Sequence, residues 1–401
     1  MNTEILTHDP ARAAEILQTG GLVAVPTETV YGLAANGLDA DAVQRIYDVK
    51  GRPAVKPLSL MVHDASWMER LCTSVPKAAK ALAERFWPGP LTIILPAKEH
   101  IPEIVRAGGD TIGLRCPDHL DTLALIRQSD LPLAAPSANP SGAPSPKTAG
   151  EVAAYFSGGI EAIIDGGACG IGTESTIVDL AHTPYRILRQ GALPAEDVWQ
   201  CVMESVTVIG ITGGTGCGKT TLLQALQKRG ALLLDADAIY HELLQNDKDL
   251  LRAIGDRFPG TVENGVLQRK KLGALVFANA DALCELNTIT HTAILSEMDR
   301  RIRAWGQNGG TLAAIDAVAL IESGAAKKCR TVIGVTAPRE DRIRRLMARE
   351  GVTRAYAESR IDAQKPNAWY EAHCDHVLDN SGTIEQFTQK AEQLIQEVLS
   401  E

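Results

Sequence analysis

Apolar and polar positions follow two different rhythms along the chain, and the change falls near residue 205. In the first stretch, short apolar runs end in turns. Gly21-Leu22-Val23-Ala24-Val25-Pro26 is the first, followed by runs at 58–62, 91–95, 111–114, 131–135, 162–165 and 176–180. Each has strand length and is bounded by turn-forming residues, which predicts β-strands. Between them apolar residues recur at helical spacing, as at Ala42, Val43, Ile46 and Tyr47. That spacing predicts helices over 40–49, 76–86, 118–128 and 148–156. The alternation implies an α/β domain and leaves parallel or antiparallel pairing open.

From Val206 the rhythm changes. Val206-Thr207-Val208-Ile209-Gly210-Ile211 reads as a buried strand that runs straight into a glycine-rich turn and then a helix over 220–229. Further strands are expected at 232–234, 311–316 and 331–336, with helices between them. This order predicts an α/β fold with a doubly wound parallel sheet. The join, Gly191 to Ser205, holds Pro194 and an amphipathic piece (Val198, Trp199, Val202, Met203) rather than a Gly/Ser tract. It predicts a packed connection between domains at 1–195 and 206–401.

Composition sharpens this picture in three ways. The 401 residues suit two domains, and 45% hydrophobic with 22% charged residues suits globular cores. Of the net charge of -9, -8 lies in residues 1–205, which excludes a protein that coats nucleic acid through a general basic surface. No apolar run approaches the roughly 18 residues of a membrane helix, the N-terminus does not read as a signal peptide, and no two of the eight cysteines form a C-x-x-C pair. A cytoplasmic protein with reduced thiols and no membrane contact is expected.

The strongest local signal is Gly213-Gly214-Thr215-Gly216-Cys217-Gly218-Lys219-Thr220, a match to G-x-x-x-x-G-K-[ST] between a strand and a helix. Glycines let backbone N–H groups curl around phosphate oxygens, and the helix N-terminus adds its positive end. Lys219 then reaches the outer phosphates and the Thr220 hydroxyl coordinates Mg²⁺ brought with ATP; Thr221 closes the ATP-binding set. A dinucleotide fingerprint with Asp235 on a ribose does not fit, because the glycine spacing is wrong and Lys219 would be superfluous.

Residues 206–400 resemble the dephospho-CoA kinases. The matching pieces are the loop itself, Asp235-Ala-Asp237, Leu267-Gln-Arg269 through Phe277, Leu286 through His291, Ala319-Leu-Ile-Glu322, Arg360 through Gln364 and Val377 through Gly382. The resemblance implies a P-loop kinase with a helical lid that moves the ATP γ-phosphoryl to the ribose 3′-hydroxyl of dephospho-CoA. It implies Asp237 as general base, against the plain alternative of a helix N-cap. Arg345 and Arg360 are the favoured phosphate-closing arginines of a region that also holds Arg342, Arg344 and Arg349, most of which spacing alone would leave on a solvated helix face. The chain departs from the family pattern at His291-Thr292 and Val318-Ala319-Leu320, beside the acceptor site. Without the resemblance, a P-loop kinase for another small hydroxyl acceptor stays open.

The first half holds polar clusters at strand ends: Pro26-Thr-Glu-Thr29-Val-Tyr31-Gly, Lys50-Gly-Arg52-Pro-Ala-Val-Lys56, Thr111 to Arg115, Trp87 to Thr92, Pro136-Ser137-Ala-Asn139, Ser145, Glu174-Ser175-Thr-Ile-Val-Asp179 and Arg189. Several cations and hydroxyls so placed suit a polyanion with a polar co-ligand. No G-x-S-x-G elbow accompanies Ser137 or Ser175, and His373-Cys374-Asp375-His376 lacks a second ligand cluster. Over 8–192 the set resembles the YrdC-type threonylcarbamoyl-AMP synthases. That implies a twisted α/β domain with an open cavity, and formation of threonylcarbamoyl-AMP from L-threonine, bicarbonate or CO₂, and ATP, the donor for a tRNA modification at position 37. By position, Thr29, Arg115 and Ser175 would contact threonine, while Lys50, Arg52, Lys56, Thr111, Ser137, Asn139, Ser145 and Arg189 would hold ATP. Met61 stands where longer members carry His, which implies the short form with a less enclosed nucleotide site. No organic prosthetic group is expected, and transient contact with tRNA or tRNA-modification proteins is compatible with the resemblance. The rival for this half is an RNA-binding module.

Overall fold

The computed structural model describes residues 2–53 and 55–400. The chain divides between Ser205 and Val206 into two compact units, the first also taking Gln307–Gly309.

The first unit is built on ten strands: β1 (Glu4–Leu6), β2 (Val23–Val25), β3 (Gly32–Asn36), β4 (Ser59–Met61), β5 (Leu91–Pro96), β6 (Thr111–Arg115), β7 (Leu133–Ala134), β8 (Ala162–Ile164), β9 (Thr176–Asp179) and β10 (Arg186–Arg189). Their order is β1-β8-β2-β3-β7-β4-β6-β5-β9-β10. Pairing is mixed: β4 runs parallel to β6 and β5 to β9, while β3–β7, β4–β7, β5–β6 and β9–β10 are antiparallel. The central strands read as continuous apolar runs because both faces are covered. Val23 and Val25 pack with the helices Pro10–Gln18 and Leu120–Ser129, while Ala24 between them faces the opposite core with Val43, Ile46 and Trp67. The same alternation separates Ala162 and Ile164 from Ile163, as the two-residue side-chain period of a strand requires.

The helix Ala40–Lys50 starts at Asp39, whose carboxylate accepts from Asp41 N and Ala42 N, and stops at Gly51 in the left-handed region (φ +59°). The join forms the helix Ala195–Glu204. Its Val198, Cys201 and Val202 are buried in the core of the first unit, beside Ala79 and Leu82 of the helix Lys77–Phe86.

The second unit holds a five-stranded, all-parallel sheet of β11 (Thr207–Thr212), β12 (Leu232–Asp235), β15 (Leu312–Asp316), β16 (Thr331–Thr336) and β17 (His376–Asp379). Between β12 and β15 the chain inserts a small antiparallel hairpin, β13 (Val262–Glu263) with β14 (Val266–Leu267). The sheet order β12-β15-β11-β16-β17 puts the phosphate-loop strand in the centre. The register sets Ile211 and Asp235 each opposite Asp316, so both flanking carboxylates lie at the carboxyl edge where the phosphate loop emerges. Helices Ala236–Asn246, Lys248–Arg257, Arg269–Phe277 and the 28-residue Ala280–Gln307 form a separate helical layer around Leu251, Ile254 and Leu286. Helices Arg339–Glu350 and Arg354–Asp362 pack together through Ile343, Leu346, Ala357 and Ile361. Among the described residues, no helix is long and apolar enough to cross a membrane.

Candidate functional sites

In the first unit a cavity of about 250 Å³ opens at the strand ends, and six of the predicted residues line it: Arg52, Thr111, Arg115, Ser137, Ser175 and Arg189. Topology gathers them. Thr111 and Arg115 are the two ends of β6, Ser175 precedes β9, Arg189 ends β10 and Ser137 follows β7. Burial pushes the guanidinium pKa values of Arg52 and Arg189 down, with a neighbouring cation adding to this at Arg189. Cations held in such surroundings favour an arriving anion.

Thr29 lies just beneath this wall and is fully buried. The Thr27 hydroxyl organises the turn, accepting from Thr29 N (3.1 Å) and Val30 N (3.2 Å). Arg115 then donates through Nη2 to Thr29 Oγ1 (2.8 Å) and to Glu28 Oε1 (2.7 Å), and through Nε to Gly89 O (3.3 Å). Glu28 also accepts from Asp118 N at 3.0 Å. Ser175 Oγ meets Thr92 Oγ1 (2.8 Å) and Arg189 Nη2 (3.1 Å).

The remaining predicted residues stand elsewhere. Lys50 is buried, and its ammonium donates to the backbone oxygens of Ser137 and Asn139; burial pushes its pKa down to about 8. It braces the 137–139 turn from behind. Asn139 is buried too and donates to Pro140 O and Ala143 O. Ser145 donates to Glu174 Oε1 (2.8 Å), which lowers the pKa of the Glu174 carboxyl at the cavity wall. Lys56 is exposed.

In the second unit Gly213, Gly216 and Gly218 take φ of +139°, +81° and +101°, a sequence of turns that only glycine adopts without strain. The helix Lys219–Lys228 starts at once behind them. Lys219 Nζ lies 2.6 Å from Asp316 Oδ1. Burial raises the Asp316 pKa against the pull of Lys219, and the nearby Asp235 and Asp237 raise it further. Asp235, not Asp237, caps the next helix, accepting from Asp237 N (2.9 Å) and Ala238 N (3.0 Å). The N-cap alternative for Asp237 therefore falls away. Its exposed side chain lines a cavity of about 240 Å³ with Tyr240, His291, Met298, Val318 and Ser323. Burial lowers the His291 pKa. Of the two departing stretches, His291 and Val318-Ala319 line this cavity, whereas Thr292 is exposed and donates to Thr288 O (2.8 Å), and Leu320 is buried.

Each of the candidate arginines has a partner within the second unit. Arg345 donates to Gly216 O (3.3 Å) and to Asn380 O (3.1 Å), on the outer side of the phosphate loop. Arg360 pairs with Glu350 at 2.5 Å. Arg344 and Arg349 pair with Asp341 and Glu350 as surface groups, but Arg342 is buried against the loop. Helical spacing gave no warning of this, because the Arg354–Asp362 helix and the loop cover that face. The His373–His376 run is structural: Asp375 Oδ2 accepts from Val332 N (2.8 Å), and no metal-holding cluster exists among the described residues.

Sequence reasoning missed Glu28, Thr92, Glu174 and Asp316 as site residues. Three of them sit inside the quoted motifs, and Asp316 had a visible signal, an apolar strand ending in a carboxylate. The Thr220 hydroxyl and the Asp316 carboxylate supply the hard oxygen donors that suit Mg²⁺ arriving with a nucleotide.

Comparison with known proteins follows the same division. The Sua5–YciO–YrdC family model, described as telomere recombination, matches residues 15–191, and the dephospho-CoA kinase model matches 207–386. A threonylcarbamoyl-AMP synthase of Pyrococcus abyssi is 50% identical over 192 residues, 48% of this chain and 56% of that protein. The chain thus spans about half the length of the curated synthases it matches. A dephospho-CoA kinase of Geobacter sulfurreducens is 35% identical over 191 residues, 47% of this chain and 97% of that protein. A solved P. abyssi Sua5 complexed with L-threonine is 29% identical, covering 83% of this chain and 100% of that one at a TM-score of 0.49. The chain carries a Sua5–YciO–YrdC domain in its first half and, through its second, belongs to the dephospho-CoA kinase family.

Proposed function

We propose that the chain is a bifunctional enzyme whose two units use MgATP for different reactions. The second unit transfers the γ-phosphoryl group to the ribose 3′-hydroxyl of dephospho-CoA, giving coenzyme A and ADP. Asp237 accepts the hydroxyl proton as the oxygen attacks phosphorus, a role supported by its uncapped carboxylate at the cavity wall. Lys219 and the loop amides offset the charge that develops on the phosphates, and Arg360 closes over them. Thr220 and Asp316 would hold Mg²⁺ arriving with ATP, which would neutralise phosphate charge.

The first unit condenses L-threonine, bicarbonate or CO₂, and ATP into threonylcarbamoyl-AMP and pyrophosphate, for tRNA modification. The threonine carbamate attacks the α-phosphorus, and no protein nucleophile is required. Arg115, steadied by Glu28, takes the threonine carboxylate with Thr29 and Ser175, while Arg52, Lys56, Thr111, Ser137 and Arg189 take the triphosphate. Lys50, Asn139 and Ser145 hold the wall in shape. A cytoplasmic setting goes with this reading, in keeping with eight free thiols.

The observation that carries the reading is the pairing of the phosphate loop at the end of β11 with a free Asp237 at the neighbouring cavity. The test measures two products on one preparation. ADP should form with dephospho-CoA and not with a panel of nucleosides and small alcohols. Pyrophosphate should appear only with threonine and bicarbonate together, without RNA. RNA retained on a filter with no pyrophosphate would sink the synthase assignment.

A further inference from the structure

Three successive carbonyl groups of the phosphate loop are each held by a side chain from elsewhere in the second unit. Thr215 O accepts from Arg342 Nε (3.0 Å), Gly216 O from Arg345 Nη1 (3.3 Å) and Cys217 O from Asn380 Nδ2 (2.8 Å). Arg342 and Asn380 are themselves buried. Asn380 is fixed in turn by its own N–H, which donates to Thr336 O (2.9 Å) at the end of β16, and by Arg345 Nη2 on its backbone oxygen. The loop is shaped to receive these groups. A β-carbon at Gly216 would lie 2.9 Å from the Arg342 backbone oxygen, and one at Gly214 or Gly218 would run into the Arg342 guanidinium or the Asn380 amide.

A fourth residue ties this arrangement to the Arg354–Asp362 helix. Gln364, just beyond the helix that carries Arg360, accepts through Oε1 from both Thr215 N (2.8 Å) and Arg342 Nη2 (2.9 Å), and donates through Nε2 to Thr215 Oγ1 (2.7 Å). No carboxylate meets the buried Arg342 guanidinium among the described residues; backbone and amide oxygens do.

We propose that Arg342, Arg345, Asn380 and Gln364 form a carbonyl clamp that presets the phosphate loop for nucleotide and couples it to the Arg354–Asp362 helix. These are positioning residues, acting through the loop backbone. In a trans peptide the C=O and N–H point in opposite directions. Holding Thr215 O and Cys217 O on the protein side therefore turns the N–H groups of Gly216 and Gly218 to the other side, where a phosphate is cradled. The Cys217 N–H instead closes the turn on Gly214 O (3.2 Å). A clamped loop does not have to order itself on binding, so the clamp acts on nucleotide affinity before it acts on turnover. The buried charge of Arg342 adds a fixed positive potential behind the loop.

The proposal rests on reading the loop as an ATP site and not on the identity of the acceptor. The experiment is a double-mutant cycle on the full chain with Arg342→Met and Gln364→Leu, read by isothermal titration without acceptor as the dissociation constant of the ATP site that Lys219→Ala removes, and as KM and kcat for ADP formation with dephospho-CoA. Each hydrogen bond lost from a charged donor is expected to weaken ATP binding about tenfold or more, with kcat changed less than about threefold. Arg342→Lys should recover part of the loss. The double variant should bind less weakly than the product of the single effects, because both act on Thr215. Should Arg342→Met lower the melting temperature too far to titrate, Gln364→Leu with Arg342→Lys carries the same test. ATP affinity within twofold of the wild type in Arg342→Met or in Gln364→Leu, or single effects that multiply, would overturn the clamp. A wild type that binds ATP but phosphorylates no dephospho-CoA would sink the acceptor reading and leave the clamp standing; one that binds no ATP would sink both.

Discussion

On the proposed reading the second unit builds its phosphate site from eight contiguous residues between a buried strand and a helix, whereas the first gathers Arg52 from the loop after the Ala40–Lys50 helix and Arg115, Ser175 and Arg189 from strand ends spread over most of its length. The contiguous site, as proposed, works largely through backbone amides, so glycine and one lysine define it, and the side chains that shape it stand behind the loop. The dispersed site works through guanidinium and hydroxyl groups, each supported by its own local network, as Arg115 is by Glu28, Thr29 and Gly89 O. A concentrated site fails when one group is lost. A distributed one loses function in smaller steps.

The largest effect tests the concentrated side. Asp237→Asn should lower kcat for ADP formation by about 10³-fold, the scale of a positioned general base, with the ATP dissociation constant unchanged. A loss below about tenfold would remove Asp237 from the chemistry. Lys219→Ala should cost about 10²–10³-fold in the same assay and leave threonine-dependent pyrophosphate release as it was. If both activities fell together, the two sites would not be independent.

The distributed side predicts milder outcomes. In Glu28→Gln the ion pair at 2.7 Å becomes a neutral contact, so Arg115 loses its fixed orientation. The KM for threonine should rise about tenfold while the KM for ATP stays within about twofold. An equal rise in both would mean that Glu28 supports the whole wall rather than Arg115.

The smallest effect concerns Lys50, whose pKa burial depresses to about 8 from 10.5. The unfolded chain binds the proton more tightly, so this group opposes folding most fully below pH 8 and its penalty fades as pH rises toward 10.5. Cys72 and Cys116, pushed up to about 12 by burial, act the other way, with stability lost as pH climbs above 9. The Lys50 contribution is therefore read as a difference. From pH 8 to 10 the first unit's melting temperature should rise relative to that of Lys50→Met, and a constant difference would argue against the depressed pKa.

Much of both units was legible in the apolar pattern, because strands buried on two faces and amphipathic helices leave strong local marks. The missed strands had weak ones. Gly32–Asn36 is rich in glycine and alanine, Arg186–Arg189 is an exposed edge, and Glu4–Leu6 is three residues long. Mixed pairing in the first sheet was also unreadable, since register and direction depend on partners distant in sequence. Among site residues, Lys50 and Arg345 were found as cations, but whether a cation faces the cavity or its supporting wall depends on what packs behind it.

The sequence by itself determined two α/β units and a glycine-rich loop between strand and helix, and it supplied the candidate residues of both proposed sites, because those follow from local periodicity and contiguous motifs. Only the tertiary structure decided that Asp235 caps the helix and leaves Asp237 free, that Asp316 meets Lys219, that Glu28 holds Arg115, and that Arg342 is buried behind the loop. Each of these is a contact between segments far apart in the chain or a choice between two neighbouring carboxylates. Such choices are made by packing and by the pairing of buried charge, which no local pattern encodes.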